Sequence, residues 1–157
     1  MTNAAATALD IRPALTQRRS AGLDITTFEC RGLREVHLTV RPLPGEGPAE
    51  TIRRLAAVLQ ENGGVVVRQE VFGSLAAHRE TLQAMQRFFG EVNWPVTCVE
   101  GASCNPEPLA GIHVFAVAGM EVETVELEGR PIGRSFSDKW VRYVLLGDVR
   151  ATDVSLS

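Results

Sequence analysis

Six polar side chains fall inside stretches that otherwise read as buried strand. They are Arg68 and Glu70 in VVVRQEVFG, Thr97, Cys98 and Glu100 in VTCVE, and His113 in GIHVFAVAG. An imidazole such as His113 titrates near neutral pH and can serve as acid or base in a cleft; the alternative is a core histidine bonded to backbone. Arg68 and Glu70 could hold a substrate carboxylate and act as base, or form an interface ion-pair network. Cys98 could be a thiolate nucleophile if a nearby cation lowered its pKa; otherwise it is a small buried hydrophobe. Glu100, before Gly101 at a strand end, reads equally as general base or as partner of an arginine. Phe72, Trp94 and Thr97 are expected to line a substrate site beside them. A second group, Arg142 and Tyr143 with Arg134 and Asp138, lies near the C-terminus. There an arginine could clamp a carboxylate and the phenol could donate to a developing oxyanion; the alternative is exposed charge on an edge strand.

Other chemistries are not indicated. Cys98, Cys104 and His113 match no standard zinc spacing, so no metal is expected. Neither a glycine-rich phosphate loop nor a G-x-S-x-G elbow is present, and no cofactor is expected. The 157 residues fit one domain with a core of its own, and the 45% apolar content is that of a globular chain. A net charge of −3 gives no footprint for nucleic acid. Three irregularly spaced cysteines fit a reducing, cytoplasmic setting better than a disulfide framework. No apolar run approaches the length of a membrane span.

The elements that must position these residues can be read in order. Residues 1–22 are Ala-, Thr- and Arg-rich and read as a partly ordered arm or an extra strand. Leu23–Cys30 and Arg34–Arg41 alternate as strands, the second placing Val36, Leu38 and Val40 on one face, and the pair is expected to form a hairpin. A helix starts near Pro48, with Ile52, Leu55, Ala56 and Leu59 as its apolar stripe and Arg53 and Arg54 facing water, and ends at Asn62-Gly63-Gly64. Val65–Phe72 reads as a central strand, with Arg68 and Glu70 sharing a face with Val66 and Phe72. Charges there must be paired or lie at a cleft or subunit interface. Ser74 is the expected N-cap of a second helix, whose stripe runs Leu75, Leu82, Met85 and Phe89 before Gly90. Short strands follow at Val96–Val99, Gly111–Ala118 and Met120–Leu127, then a turn at Glu128-Gly129-Arg130-Pro131; Trp140–Leu146 reads as a last strand, with a short helix as the alternative.

With this β-β-α-β-α-β-β order, the RFFG helix end, WPVTCVEG and LAGIHVFAVAG, the stretch from about Arg34 to Gly119 resembles the Rid superfamily, the imine deaminases also labelled translation inhibitors. WPVTCVEG, LAGIHVFAVAG and the extension GRPIGRSFSDKWVRY look more like its chorismatase-like branch. The resemblance implies an α+β, chorismate-mutase-like fold: a mixed sheet with two helices on one face, assembled as a homotrimer with sheets packed inward. It divides the chain into the arm 1–22, a core 23–119 and a C-terminal β extension 120–157. It implies ligand sites in the clefts between subunits, which would give Arg68, Glu70 and His113 a reason to be there. The small deaminases carry a substrate-clamping arginine where this chain has Val96, and a water-positioning glutamate where it has Gly111 or His113. Standard 2-imino-acid hydrolysis is therefore disfavoured. Chorismatases are about twice this length, so their hydrolysis does not carry over either. Two functions follow: acid–base chemistry on a small carboxylated or carbonyl-bearing metabolite in an inter-subunit cleft, or a ligand- or partner-binding trimer without turnover.

Overall fold

A computed structural model describes residues 13–101 and 107–148. The order among the described residues is β1 (Ala14–Ser20), β2 (Leu23–Cys30), β3 (Leu33–Val40), α1 (Pro48–Asn62), β4 (Val65–Gly73), α2 (Leu75–Phe89), β5 (Val96–Glu100), β6 (Leu109–Ala118), β7 (Glu123–Leu127), β8 (Arg130–Ser137) and β9 (Arg142–Leu146). Cys104, residues 1–12 of the arm and the tail beyond Asp148 lie outside the described residues.

Strands β1 to β6 form one six-stranded sheet in the order β1-β2-β3-β6-β4-β5. Every pairing in it is antiparallel except β4 with β5, which α2 connects as a crossover. The β2–β3 hairpin closes through Arg31 (φ 53°) and Gly32 (φ 84°), a two-residue turn with both backbones left-handed, whose twist matches the strands. Glu128 (φ 52°) and Gly129 (φ 73°) close β7 onto β8 in the same way.

Both helices cover one face of this sheet. Ile52, Leu55 and Leu59 of α1 and Ala77, Ala84 and Met85 of α2 pack on Val36, Leu38, Val40, Ile112, Val114 and Ala116. Ser74 caps α2 as its sequence predicts, its hydroxyl accepting from the Ala77 N–H at 3.2 Å. The buried stripe of α2 is rotated from the expected one. Leu75 and Leu82 are exposed, and Ala77, His78, Thr81, Ala84 and Met85 face inward. Small residues let the helix sit close to the sheet, which the apolar count alone does not reveal. Arg54 also differs from its expected exposure. It grips Glu46 with Nε and Nη2 (3.1 and 2.6 Å) and donates to the Arg41 carbonyl at 2.7 Å, tying α1 to the loop after β3.

The other face of the sheet is covered only in part. Strands β7, β8 and β9 form a second, three-stranded sheet. Its Phe136 packs with Leu33, Val67, Phe115 and Val117 in a smaller core. Strand β8 has no counterpart among the expected strands, because GRPIGRSFS carries Gly, Pro and Arg and lacks clean alternation. It is nevertheless the middle strand of this sheet.

Candidate functional site

A bulge in β4 decides which way the charged side chains point. Val66 pairs with Ala116, and Arg68 pairs with Phe115, so Val67 is an extra residue. Val66 joins the helix-side core, whereas Val67 joins the opposite core with Phe115. Arg68 and Glu70 therefore do not share a face with Val66. Were Val67 to take a regular place opposite Phe115, Arg68 would pair opposite Val114 and both charges would turn into the helical layer. The bulge delivers them to the face of His113, which pairs with Glu70 across the β4–β6 ladder.

On that face His113 Nδ1 lies 3.0 Å from Glu70 Oε2, and Arg68 Nε lies 2.6 Å from Glu70 Oε1. Arg68 and Glu70 thus form an ion pair. Burial pushes the Glu70 carboxyl up, but the His113 hydrogen bond and the Arg68 charge outweigh it and leave it below its ordinary 4.5. An ionised carboxylate can only accept, so His113 Nδ1 carries the proton and Nε2 is the nitrogen that can meet a substrate. His37 of β3 stacks on Phe115 (4.6 Å) and lies 5.9 Å from the His113 ring. Burial and then the charge of His113 hold its pKa below the ordinary 6.5. Glu35 pairs with His37 at 3.8 Å.

Thr97 and Phe72 share this face. Thr97 pairs opposite Glu70, and its hydroxyl accepts from the Asp148 N–H at 3.0 Å. Phe72 pairs opposite Val99, and these neighbours are 39% and 41% exposed, open apolar surface beside the ionisable groups. The remaining expected site residues are not brought here. Cys98 packs against the helix-side core, as does Val96 at the position of the deaminase clamp. Glu100 alternates with Val99 and is exposed at the end of β5. Trp94 is buried in the helix-side core, its indole N–H donating to Gln69 at 3.0 Å. Arg142 lies in the second sheet and donates to Glu123 (2.9 Å) and Ser135 (3.1 Å). Tyr143 stacks on Phe136 at 4.9 Å and donates to Asp138 at 3.5 Å. Burial, then the Asp138 charge, raises the Tyr143 pKa. His37 is a further member of the site, on the polar face of β3. Its spacing of two with Glu35 and Thr39 marks that face in the sequence, and only the strand order sets it beside His113.

No family model matches the sequence, and no curated protein does. Among solved structures the chain is similar to a Salmonella typhimurium protein provisionally described as a translation initiation inhibitor, with a TM-score of 0.50 and 16% identity over 66% of this chain and 96% of that one. A member of the YjgF/YER057c/UK114 family from Mycobacterium tuberculosis matches at a TM-score of 0.44 and 20% identity, over 57% of this chain and 82% of that one. The class defined by this architecture is the Rid-type α+β fold, with two helices on one face of a mixed sheet. At this identity the likeness concerns the fold.

Proposed function

We propose that this chain is an acid–base enzyme for a small carboxylated or carbonyl-bearing metabolite, working on the helix-free face of its large sheet. The observation that carries this reading is the Arg68–Glu70–His113 relay, which leaves one imidazole nitrogen directed away from its carboxylate partner. In this reading Glu70 holds the His113 tautomer and stabilises the imidazolium, and Nε2 takes or gives the substrate proton. Arg68, whose side chain is 40% exposed, would meet a substrate carboxylate with its remaining guanidinium nitrogens. Chemistry of this kind suits an imine, enamine, enol ether or activated carbonyl. Val96 packs toward the helices and offers no clamp, which keeps the reading away from standard imine hydrolysis.

We infer further that the site is completed by neighbouring copies in a homotrimer. Exposed Phe72 and Val99 beside the relay support an interface there, since apolar surface next to a polar cluster is the pattern of a subunit contact. The extension from Arg130 onward and the WPVTCVEG strand support kinship with the chorismatase-like branch and a biosynthetic role.

A panel of 2-imino acids, enol ethers and activated esters, assayed with the parent chain and His113→Gln, tests the enzyme reading. The expected result is turnover of one class that His113→Gln lowers by about 100-fold or more. Turnover unchanged in that variant would exclude His113 as the proton-transfer group. Saturable binding to the relay face without turnover across the panel would instead establish the non-catalytic trimer.

A further inference from the structure

A second concavity lies on the helical side, between the C-terminal halves of α1 and α2 and the edge made by β8. Its volume is about 910 Å³, within the range of small-molecule sites. Ala56 and Ala57 leave room along α1, and Phe88, Phe89 and Trp94 form an aromatic wall. Arg134 lines the cavity from β8 although it is only 6% exposed. One of its nitrogens, Nη2, donates to Asn93 Oδ1. Its Nε is buried and has no acceptor. No carboxylate among the described residues pairs with it, and the ion pair of the second sheet joins Arg142 to Glu123 instead. A buried guanidinium without counter-charge is unfavourable unless something supplies one. Burial already lowers its pKa from the ordinary guanidinium value. Arg53 adds a second guanidinium on the α1 wall.

We propose that this cavity is a binding site, distinct from the His113 face, for a small aromatic carboxylate. The carboxylate meets Arg134 and Arg53, and the ring lies against Phe88, Phe89 and Trp94. One buried N–H donor with three aromatic side chains suits a singly charged head on an apolar body better than a phosphate. The carbonyl end of α1 also borders the cavity and works against an anion. It carries only about half a charge, against the two guanidiniums. The indole N–H of Trp94 is committed to Gln69, so its ring serves as wall.

The chain has two tryptophans, and Trp140 is exposed with Arg31 over its ring. Trp140→Phe therefore leaves Trp94 as the reporter. In that background 3-phenylpropanoate is expected to change Trp94 emission saturably, while 3-phenylpropanol does so at least about tenfold more weakly. Arg134→Gln should weaken the carboxylate by at least about tenfold, and Ala57→Phe, at an exposed position on the cavity wall, should block it. His113→Gln should leave the titration unchanged, which separates this site from the proposed catalytic one. A non-saturating response, or saturation that survives Ala57→Phe, would overturn the proposal. Should Arg134→Gln fail to fold, the Ala57→Phe result and the alcohol comparison decide.

Discussion

Gln69 shows how one residue couples the site to the core. It is 1% exposed, directly between Arg68 and Glu70, and its side chain points the other way. There it accepts from Trp94 Nε1 at 3.0 Å and donates to Met85 Sδ at 3.3 Å. Gln69→Leu strands the indole N–H and is expected to cost about 1–3 kcal/mol by urea unfolding. Adding Trp94→Phe removes the orphaned donor and should recover part of that loss. A double variant worse than the sum of the two would contradict this account. The ionisable groups of the opposite face carry a pH signature. His37 has a depressed folded-state pKa, so between that value and 6.5 the unfolded chain binds more protons and stability falls as pH falls. Glu70 is depressed below 4.5, so its contribution is fully present above that pH and is lost as pH drops through the folded value. Urea midpoints measured from pH 7 downward should decline in two stages. His37→Phe should flatten the first and Glu70→Gln the second.

At the scale of the element, the β4 bulge is the decisive feature. VVVRQEVFG cannot satisfy both faces by strict alternation, because Val66 and Val67 are both buried while Arg68 and Glu70 must leave the helical layer. Placing Val67 beside Arg68 on one face resolves the conflict. Deleting Val67 removes the extra residue and leaves Val66 opposite Ala116, Arg68 opposite Phe115 and Glu70 opposite His113, so the relay should keep its face and only a buried valine is lost. The expected cost is about 1–3 kcal/mol by urea unfolding, that of losing one buried valine from the smaller core. A folded deletion that loses the Glu70–His113 contact, read from the His113 ring resonances, would contradict this register.

For the whole molecule, the proposed trimer makes a direct demand on mass. Sedimentation equilibrium is expected to return three times the 17.1 kDa chain. Phe72→Arg places a charge in the inferred contact and should shift the population to monomer, with loss of any turnover but little loss of secondary structure. A parent chain that sediments as a monomer would remove the inter-subunit cleft from the proposal. No helix among the described residues is long and apolar enough to cross a membrane.

The residues themselves were enough to place both helices, their caps and most strands, because Pro48, Ser74, the Arg31-Gly32 turn and the alternation of β3 are local signals whose physics acts over a few residues. The same local signals mark Arg68, Glu70 and His113 as polar residues in apolar strands. Cys98, Glu100, Trp94, Arg142 and Tyr143 stand out equally, and nothing local separates the two groups. Which of them meet was settled by long-range pairing: β6 lying between β3 and β4 sets His113 beside both His37 and Glu70, and a one-residue bulge sets the facing. Strand β8 and the cavity at Arg134 were invisible for a related reason. Their side chains gain meaning only from partners far away along the chain, and periodicity carries no record of those partners.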